Sequence, residues 1–242
     1  AHSHAFQRAM AGMTEHRGQN KGDSFWTWRE LMFHFLDQLT PDDIEAITAF
    51  VQMEMLEAGY ATNVEFHYLH HSPDGTPYDN RGEMAYRIMA ATELTGIGLT
   101  LLPVHYQYGG CDFRPLTKGQ CRFQNDLDGF ANLCDIIQPG LAALPANTSF
   151  GVAPHSLRAV APDSFEISRV LARGGPFHMH LAEQQAEVEE VKQHLGARPV
   201  EWILNNVNVD DGCCFIHCTQ MQPHETRGLA KSGAIAVLCP IT

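Results

Sequence analysis

Residues 176–195, with the sequence PFHMHLAEQQAEVEEVKQHL, contain one complete strand–loop–helix unit of the predicted fold. The apolar run Pro176–Leu181 is predicted to be a strand, and Gln184–Leu195 is predicted to be the helix that follows it. The same alternation recurs along the chain on both sides of this stretch. Strands that alternate with helices indicate a parallel sheet with crossover helices, which is the α/β class.

Apolar, β-branched and aromatic runs predict six strands and the end of a seventh. The six strands are Ala61–Leu69, Ile97–Tyr106, Ser149–His155, Pro176–Leu181, Cys213–Cys218 and Ala234–Cys239, and the seventh ends at Ala1–His4. Helices are predicted at Phe25–Leu39 after an Asp23-Ser24 cap, at Pro41–Ala58 after Thr40, and at Arg81–Leu94, Asp126–Ala143, Asp163–Arg173, Gln184–Leu195, Val200–Asn206 and Pro223–Lys231. Because eight strands close a barrel, the expected fold is one TIM-type (β/α)8 barrel domain over residues 1–242, partial here, with most of strands 1–7 present and strand 8 absent.

The composition limits the classes of partner. The chain has 28 Asp and Glu residues against 16 Lys and Arg residues, so its formal net charge is -12. Nucleic acids and anionic membranes both require a basic surface, and neither is expected as a partner. The seven cysteines are odd in number and form no CxxC pair. We therefore expect reduced thiols in a cytoplasmic protein, without a disulfide framework or a thiolate zinc site.

The first candidate site residues are His2 and His4. They are two residues apart, so on an extended strand both imidazoles face the same side. Two imidazoles that converge in this way can bind one divalent metal ion. A pair of surface histidines is the alternative that this short motif leaves open.

A second group lies at the end of the strand Pro176–Leu181. His180 ends the strand, and Glu183 begins the following loop, where a carboxylate can take a proton from a metal-activated water and pass it to a leaving amine. His178 has the same parity as His180 and competes with it as a ligand. His180 is favoured because it lies nearer the carboxyl end of the strand, where barrels carry their active sites.

Two further strand ends carry polar residues of the same kind. His217 ends the strand Cys213–Cys218, and a core histidine bonded to a backbone carbonyl is the alternative interpretation. Histidines at three separate strand ends favour an active site. Arg158, after the strand Ser149–His155, offers a planar bidentate donor for a carboxylate. Other candidates for lining a pocket are Arg8, Arg29 and Tyr68, whereas His70 and His71 are interpreted as solvated loop residues.

The order HxH, HxxE and a single histidine on successive strands resembles the amidohydrolase superfamily, in its deaminase branch with one metal ion. Longer segments are similar to the formimidoylglutamate deiminase family of histidine degradation. These segments are 2–12 (HSHAFQRAMAG), 24–32 (SFWTWRELM), 65–68 (EFHY), 155–160 (HSLRAV) and 180–184 (HLAEQ). The resemblance covers essentially the whole chain.

The resemblance implies hydrolysis of N-formimidoyl-L-glutamate to N-formyl-L-glutamate and ammonia. It implies one zinc ion per chain, although imidazole and carboxylate ligands also suit iron(II) or nickel(II). The implied metal ligands are His2, His4 and His180; the catalytic residues are Glu183, which moves the proton, and His217, which orients the water; the substrate-binding residues are Gln7, Arg29, Tyr68, His155 and Arg158. A substrate with two carboxylates suits the two arginines.

The resemblance also implies a cytoplasmic homodimer that acts on a small dicarboxylate. The family has a further metal-binding Asp at the end of the eighth strand and a small β-sandwich made from both chain ends. This sequence reaches Thr242 before that Asp, so we expect the predicted function to belong to the intact protein.

Two rival functions remain open from the sequence. One is a deaminase of the same superfamily that acts on guanine or another aminated heterocycle, which would require stacking aromatics in place of two arginines. The other is a non-catalytic metal-binding barrel. Glu183 argues against this second rival, because neither metal binding nor core packing requires it.

Overall fold

The computed structural model of the protein describes residues 1–14 and 25–239. Its strands are β1 (His2–Ser3), β2 (Thr62–His67), β3 (Gly98–His105), β4 (Thr148–Phe150), β5 (Ala153–Pro154), β6 (Phe177–Leu181), β7 (Cys213–His217) and β8 (Ile235–Val237). Its α-helices are α1 (Phe25–Leu36), α2 (Pro41–Glu57), α3 (Glu83–Thr95), α4 (Leu127–Leu141), α5 (Ser164–Leu171), α6 (Gln185–Leu195), α7 (Pro199–Asn206) and α8 (Pro223–Ser232). Short 3₁₀ helices lie at Ala5–Met10 and Lys118–Phe123.

Helix α2 begins where the sequence predicts, because Thr40 closes a capping box. The backbone N–H of Asp43 donates to Thr40 Oγ1 at 3.2 Å, and Asp43 Oδ2 accepts from the Thr40 N–H at 2.9 Å. Pro41 occupies the first turn, where its missing N–H leaves no bond unmade. The predicted cap of α1 at Asp23-Ser24 lies outside the described residues.

The contacts of the chain separate it into two compact units. The first unit contains residues 1–100, 116–124 and 135–148. In it β1 runs parallel to β2, with His2 opposite Val64 and Ser3 opposite Glu65. A buried side-chain hydrogen bond from Gln52 Nε2 to Thr92 Oγ1, 2.9 Å long, links helices α2 and α3. This unit therefore fixes the HxH segment against the buried strand β2.

The second unit contains residues 101–115, 125–134 and 149–242. Strands β6, β7 and β8 are parallel neighbours in that order, and Leu181 at the end of β6 lies opposite His217 at the end of β7. The end of β3 runs parallel to β5. Strand β6 is buried along its whole length, as expected for a parallel strand covered on both faces.

The α/β class with parallel strands is confirmed, and the predicted strand over 149–155 is corrected to two strands, β4 and β5. The break lies at Gly151, where the backbone changes partner. Gly151 N–H donates to Leu101 O at 3.1 Å, and the next N–H, of Val152, donates to Pro176 O at 3.0 Å. A Cβ at Gly151 would lie 2.3 Å from that Pro176 oxygen, so only glycine allows this approach.

Other sequence predictions differ from the structure only at their ends. Helix α1, for example, ends at Leu36 instead of Leu39. That residues 1–242 form one barrel domain stays a prediction. Among the described residues, none of the helices combines the length and the apolar character that a membrane crossing requires.

Candidate active site

His2 and His4 converge at the end of β1 in the first unit. Their Nε2 atoms lie 3.1 Å apart, and His4 Nδ1 lies 3.0 Å from the backbone oxygen of Phe66. If His4 Nδ1 carries the proton and donates it to that carbonyl, its Nε2 presents a lone pair. Two nitrogen ligands of a tetrahedral zinc ion, each at 2.0–2.1 Å, would lie roughly 3.3 Å apart. The pair therefore has the spacing of two ligands of one metal ion.

A buried carboxylate fixes the backbone that follows His4. Glu65 Oε1 accepts the N–H of Ala5 at 2.8 Å, and Asn63 Nδ2 lies 3.5 Å from Glu65 Oε2. Glu65 is only 2% exposed. Burial raises the pKa of Glu65, while hydrogen bonds from Ala5, Ser3 and Asn63 lower it. No role is predicted for Glu65 from the sequence, although a glutamate inside an otherwise buried strand is a signal that could have identified it.

Gln7 and Tyr68, both predicted substrate-binding residues, lie together in the first unit. Gln7 Nε2 donates to the Tyr68 hydroxyl at 3.2 Å. The Tyr68 ring packs edge-to-face on Phe123, with the ring centroids 4.8 Å apart, so its hydroxyl is fixed by aromatic packing. Arg29 extends from α1 with its guanidinium carbon 5.1 Å from the centroid of Phe33.

The histidines after β2 correct one minor interpretation, and Arg8 stays a candidate for lining a pocket. Arg8 is engaged by both carboxylate oxygens of Glu54, at 2.6 and 2.7 Å. His70 and His71 are buried, with 1% and 6% exposure, and are not solvated. His71 Nε2 lies 2.5 Å from the oxygen of Gln124 and is held by the 116–124 segment.

In the second unit, His180, Glu183 and His217 lie together where β6 and β7 end. The ring centroids of His180 and His217 are 5.3 Å apart, and Glu183 Oε1 lies 3.7 Å from His217 Nε2. Burial lowers the pKa of His217, while the charge of Glu187 raises it. Nδ1 of His217 is buried and has no hydrogen-bond partner within the described ranges. Glu183 and His217 thus form a pair of a carboxylate and an imidazole, in which Nδ1 of the imidazole can still form a hydrogen bond.

The backbone at these two strand ends adopts the left-handed region. Ala182 has φ 51°, His217 has φ 76° and Cys218 has φ 54°. Non-glycine residues in this region cost on the order of 1–3 kcal/mol each and cluster at functional sites. The loops are held together by backbone bonds from Cys218 N–H to Leu181 O at 2.9 Å and from Gln220 N–H to Ala182 O at 2.8 Å. Residue types alone give no signal for this strain.

His155 and Arg158 follow β5 and face the same group. The His155 ring centroid lies 5.1 Å from that of His180. Burial lowers the pKa of Arg158, but Glu187, Tyr106 and the glutamates 183 and 190 outweigh it, and the net shift is upward. Nε of Arg158 is buried and lacks a hydrogen-bond partner in the part of the chain that the structure describes. A charged, partly buried donor of this kind can receive an anionic group.

His178, the competing ligand candidate, lies deeper in β6. It is opposite Cys214, two residues before the His180–Ile216 pair, and burial lowers its pKa to about 4. His180, two residues nearer the strand end, is the histidine beside His217.

Similarity to known proteins extends over the whole chain. The model of the amidohydrolase family matches residues 1–241. Formimidoylglutamate deiminase from Pseudomonas aeruginosa is 46% identical over 241 residues, which cover 98% of this chain and 52% of the relative. The crystal structure of an amidohydrolase from Brucella melitensis has a TM-score of 0.95 at 48% identity and covers 99% of this chain and 53% of that chain.

A more distant structure shares the fold alone. An adenosine deaminase from Xanthomonas campestris with bound zinc has a TM-score of 0.76 at 20% identity, and the match covers 99% of this chain and 48% of that chain. The chain spans about half the length of these relatives.

Proposed function

Since the chain belongs to the amidohydrolase family, we propose that the whole protein hydrolyses N-formimidoyl-L-glutamate to N-formyl-L-glutamate and ammonia in histidine degradation. The observation that carries this proposal is the pairing of Glu183 with His217, 3.7 Å apart beside His180 at two strand ends. The choice of substrate is supported by 46% identity to a formimidoylglutamate deiminase over 98% of the chain.

One divalent metal ion per chain is part of the proposal, with His2, His4 and His180 as its protein ligands in these 242 residues. The residues fit such an ion, because His2 and His4 have ligand spacing and the bond from His4 to Phe66 O orients its ring. Zinc is the proposed metal, since neutral imidazoles suit it, although iron(II) or nickel(II) suit the same ligands. A bound ion supplies Lewis-acid activation of water near neutral pH.

Glu183 is the proposed general base and acid. Its carboxylate takes the proton from the attacking water and delivers it to the nitrogen that leaves as ammonia. His217, beside it, orients the water and the reacting carbon through Nε2. Burial lowers the pKa of His217, so the imidazole is neutral at pH 7 and can accept or donate one hydrogen bond.

The two arginines are proposed to bind the two substrate carboxylates. Arg158 has a buried Nε with bonding capacity, and Arg29 offers a second planar donor set. Gln7, Tyr68 and His155 are proposed to hold the rest of the substrate. A flat aminated heterocycle has no carboxylate for these arginines, which favours the acidic substrate.

The test uses the full-length protein. Bound metal is measured, and ammonia release is assayed from N-formimidoyl-L-glutamate, N-formimidoyl-L-aspartate and guanine. We expect turnover of the first substrate alone, with about one zinc per chain, and loss of turnover after chelation. Rapid turnover of guanine would support the heterocycle deaminase instead, and bound metal with no turnover of any substrate would support a non-catalytic barrel.

The cellular setting is also a proposal. The seven cysteines, all free in the described residues, agree with a cytoplasmic protein. The proposed assembly is a homodimer that acts on a small dicarboxylate, with neither nucleic acid nor membrane as a partner. Light scattering of the full-length protein tests the dimer, since a monomer mass at assay concentrations would contradict it.

A further inference from the structure

We propose that Glu187 is a positioning residue that holds the Ala182–Glu183 backbone so that the Glu183 carboxylate faces His217. This inference rests on the proposed function, because it assigns Glu183 the proton transfer. Glu187 is the third residue of α6 and is 2% exposed. The metal ligands and the substrate-binding set do not include it.

The carboxylate of Glu187 receives two successive backbone N–H groups. Ala182 N–H donates to Oε1 at 3.1 Å, and Glu183 N–H donates to Oε2 at 3.0 Å. Successive N–H groups can converge on one anion where the chain leaves the extended conformation, and the left-handed φ of 51° at Ala182 marks that change here. Glu187 thus stabilises the strained residue immediately before Glu183.

The charge of Glu187 acts on the same group of residues. It is the largest influence that raises the pKa of Arg158 against burial, and it also raises the pKa of His217. Two buried carboxylates, Glu183 and Glu187, therefore lie near one guanidinium. A neutral residue at 187 would weaken the support of the Glu183 backbone and remove one negative charge from beside Arg158.

An ordinary helix cap would explain part of this geometry, and the two interpretations predict different results. A cap contributes to the stability of α6, so its loss lowers the melting temperature without a selective effect on kcat. A positioning residue affects kcat more than KM, because the misplacement is felt in proton transfer.

The experiment compares Glu187→Gln with Glu189→Gln in the full-length, metal-loaded protein. Glu189 is an exposed residue of the same helix, bonded to Gln185, and lies outside the site. For E187Q we expect kcat to fall on the order of 10- to 100-fold, with a smaller change in KM. We also expect faster hydrogen exchange of the Ala182 and Glu183 amides, because a glutamine presents only one acceptor oxygen to them. E189Q should match the wild type in every measurement.

Three outcomes would overturn the inference: an unchanged kcat in E187Q, an equal loss in E189Q, or unchanged amide exchange. If E187Q does not fold, exchange in the wild type decides, since slow exchange at both amides is expected and fast exchange contradicts the bonds. If the wild type fails to hydrolyse N-formimidoyl-L-glutamate, the proposed function fails. The amide exchange of E187Q still reports whether Glu187 holds this backbone.

Discussion

The two histidine-bearing segments, one after β1 and one after β6, are held by similar devices with different electrostatics. In each segment a buried carboxylate binds backbone N–H groups within three residues after the histidine: Glu65 at Ala5, and Glu187 at Ala182 and Glu183. Glu65 is compensated only by hydrogen bonds, whereas Glu187 also has the charge of Arg158. Under the proposed function, the first segment orients metal ligands, while the second keeps charged groups for proton transfer and substrate binding.

The two segments also differ in backbone strain. Residues 1–5 contain no left-handed residue, whereas Ala182 after β6 adopts positive φ, as do His217 and Cys218 at the adjoining end of β7. Ligand spacing in an HxH pair follows from the period of a strand. Placing a carboxylate beside an imidazole from another strand requires irregular backbone, which must be stabilised by its surroundings.

The largest effect that tests this comparison is expected for Glu183→Gln in the full-length protein. Loss of a general base or acid lowers kcat by about 10²–10⁴-fold. Bound metal should stay near the wild-type amount, because Glu183 is not a proposed ligand. The measurement is steady-state ammonia release together with metal analysis. Retained activity would remove the chemical distinction between the two segments.

An intermediate effect is expected for Arg158→Lys, which keeps the charge but removes the planar donor set. We expect KM for N-formimidoyl-L-glutamate to rise on the order of 10- to 100-fold, because a charged hydrogen bond to a substrate carboxylate is lost. Arg114→Lys is the matched control, since Arg114 is half-exposed and bonded to Asp112 and Glu190. Equal KM values in the two variants would contradict a substrate role for Arg158.

The smallest effect is expected for Glu65→Gln, measured as unfolding free energy against pH. At acid pH the unfolding free energy of the variant should be about 1 kcal/mol lower than that of the wild type. The reason is that the glutamine amide nitrogen places a donor beside Asn63 Nδ2, where the wild type has an acceptor oxygen. Burial raises the pKa of Glu65 in the folded state, so the wild type loses stability as pH rises from the ordinary carboxyl pKa toward this raised value.

The glutamine of E65Q does not titrate, so the deficit of the variant should shrink over that pH range. The value of kcat should stay within about twofold of the wild type, since a glutamine oxygen still accepts from Ala5. A deficit that grows with pH would show that Glu65 is held ionised, and a large fall in kcat would make the two segments equivalent.

Much of the fold could be predicted because its signals are local. Thr40-Pro41 fixed the start of α2, and the buried runs 177–181 and 213–217 were identified as strands within one residue. The strand over 149–155 was predicted as one because its break depends on the approach of Pro176 to Gly151, a contact between distant parts of the chain. The burial of His70 and His71 likewise depends on packing that residue types do not encode.

The sequence by itself determined the α/β order, the histidines at strand ends and the choice of Glu183, because strand period and residue chemistry are local properties. Only the tertiary structure showed that Glu183 lies beside His217 and that Nε of Arg158 is buried without a hydrogen-bond partner in the described residues. It also showed that the carboxylates of Glu65 and Glu187 accept backbone N–H groups. Those facts depend on which buried groups face one another. Such pairings determine whether a buried charged group is stable, because desolvation is costly unless the partners of the group are in place.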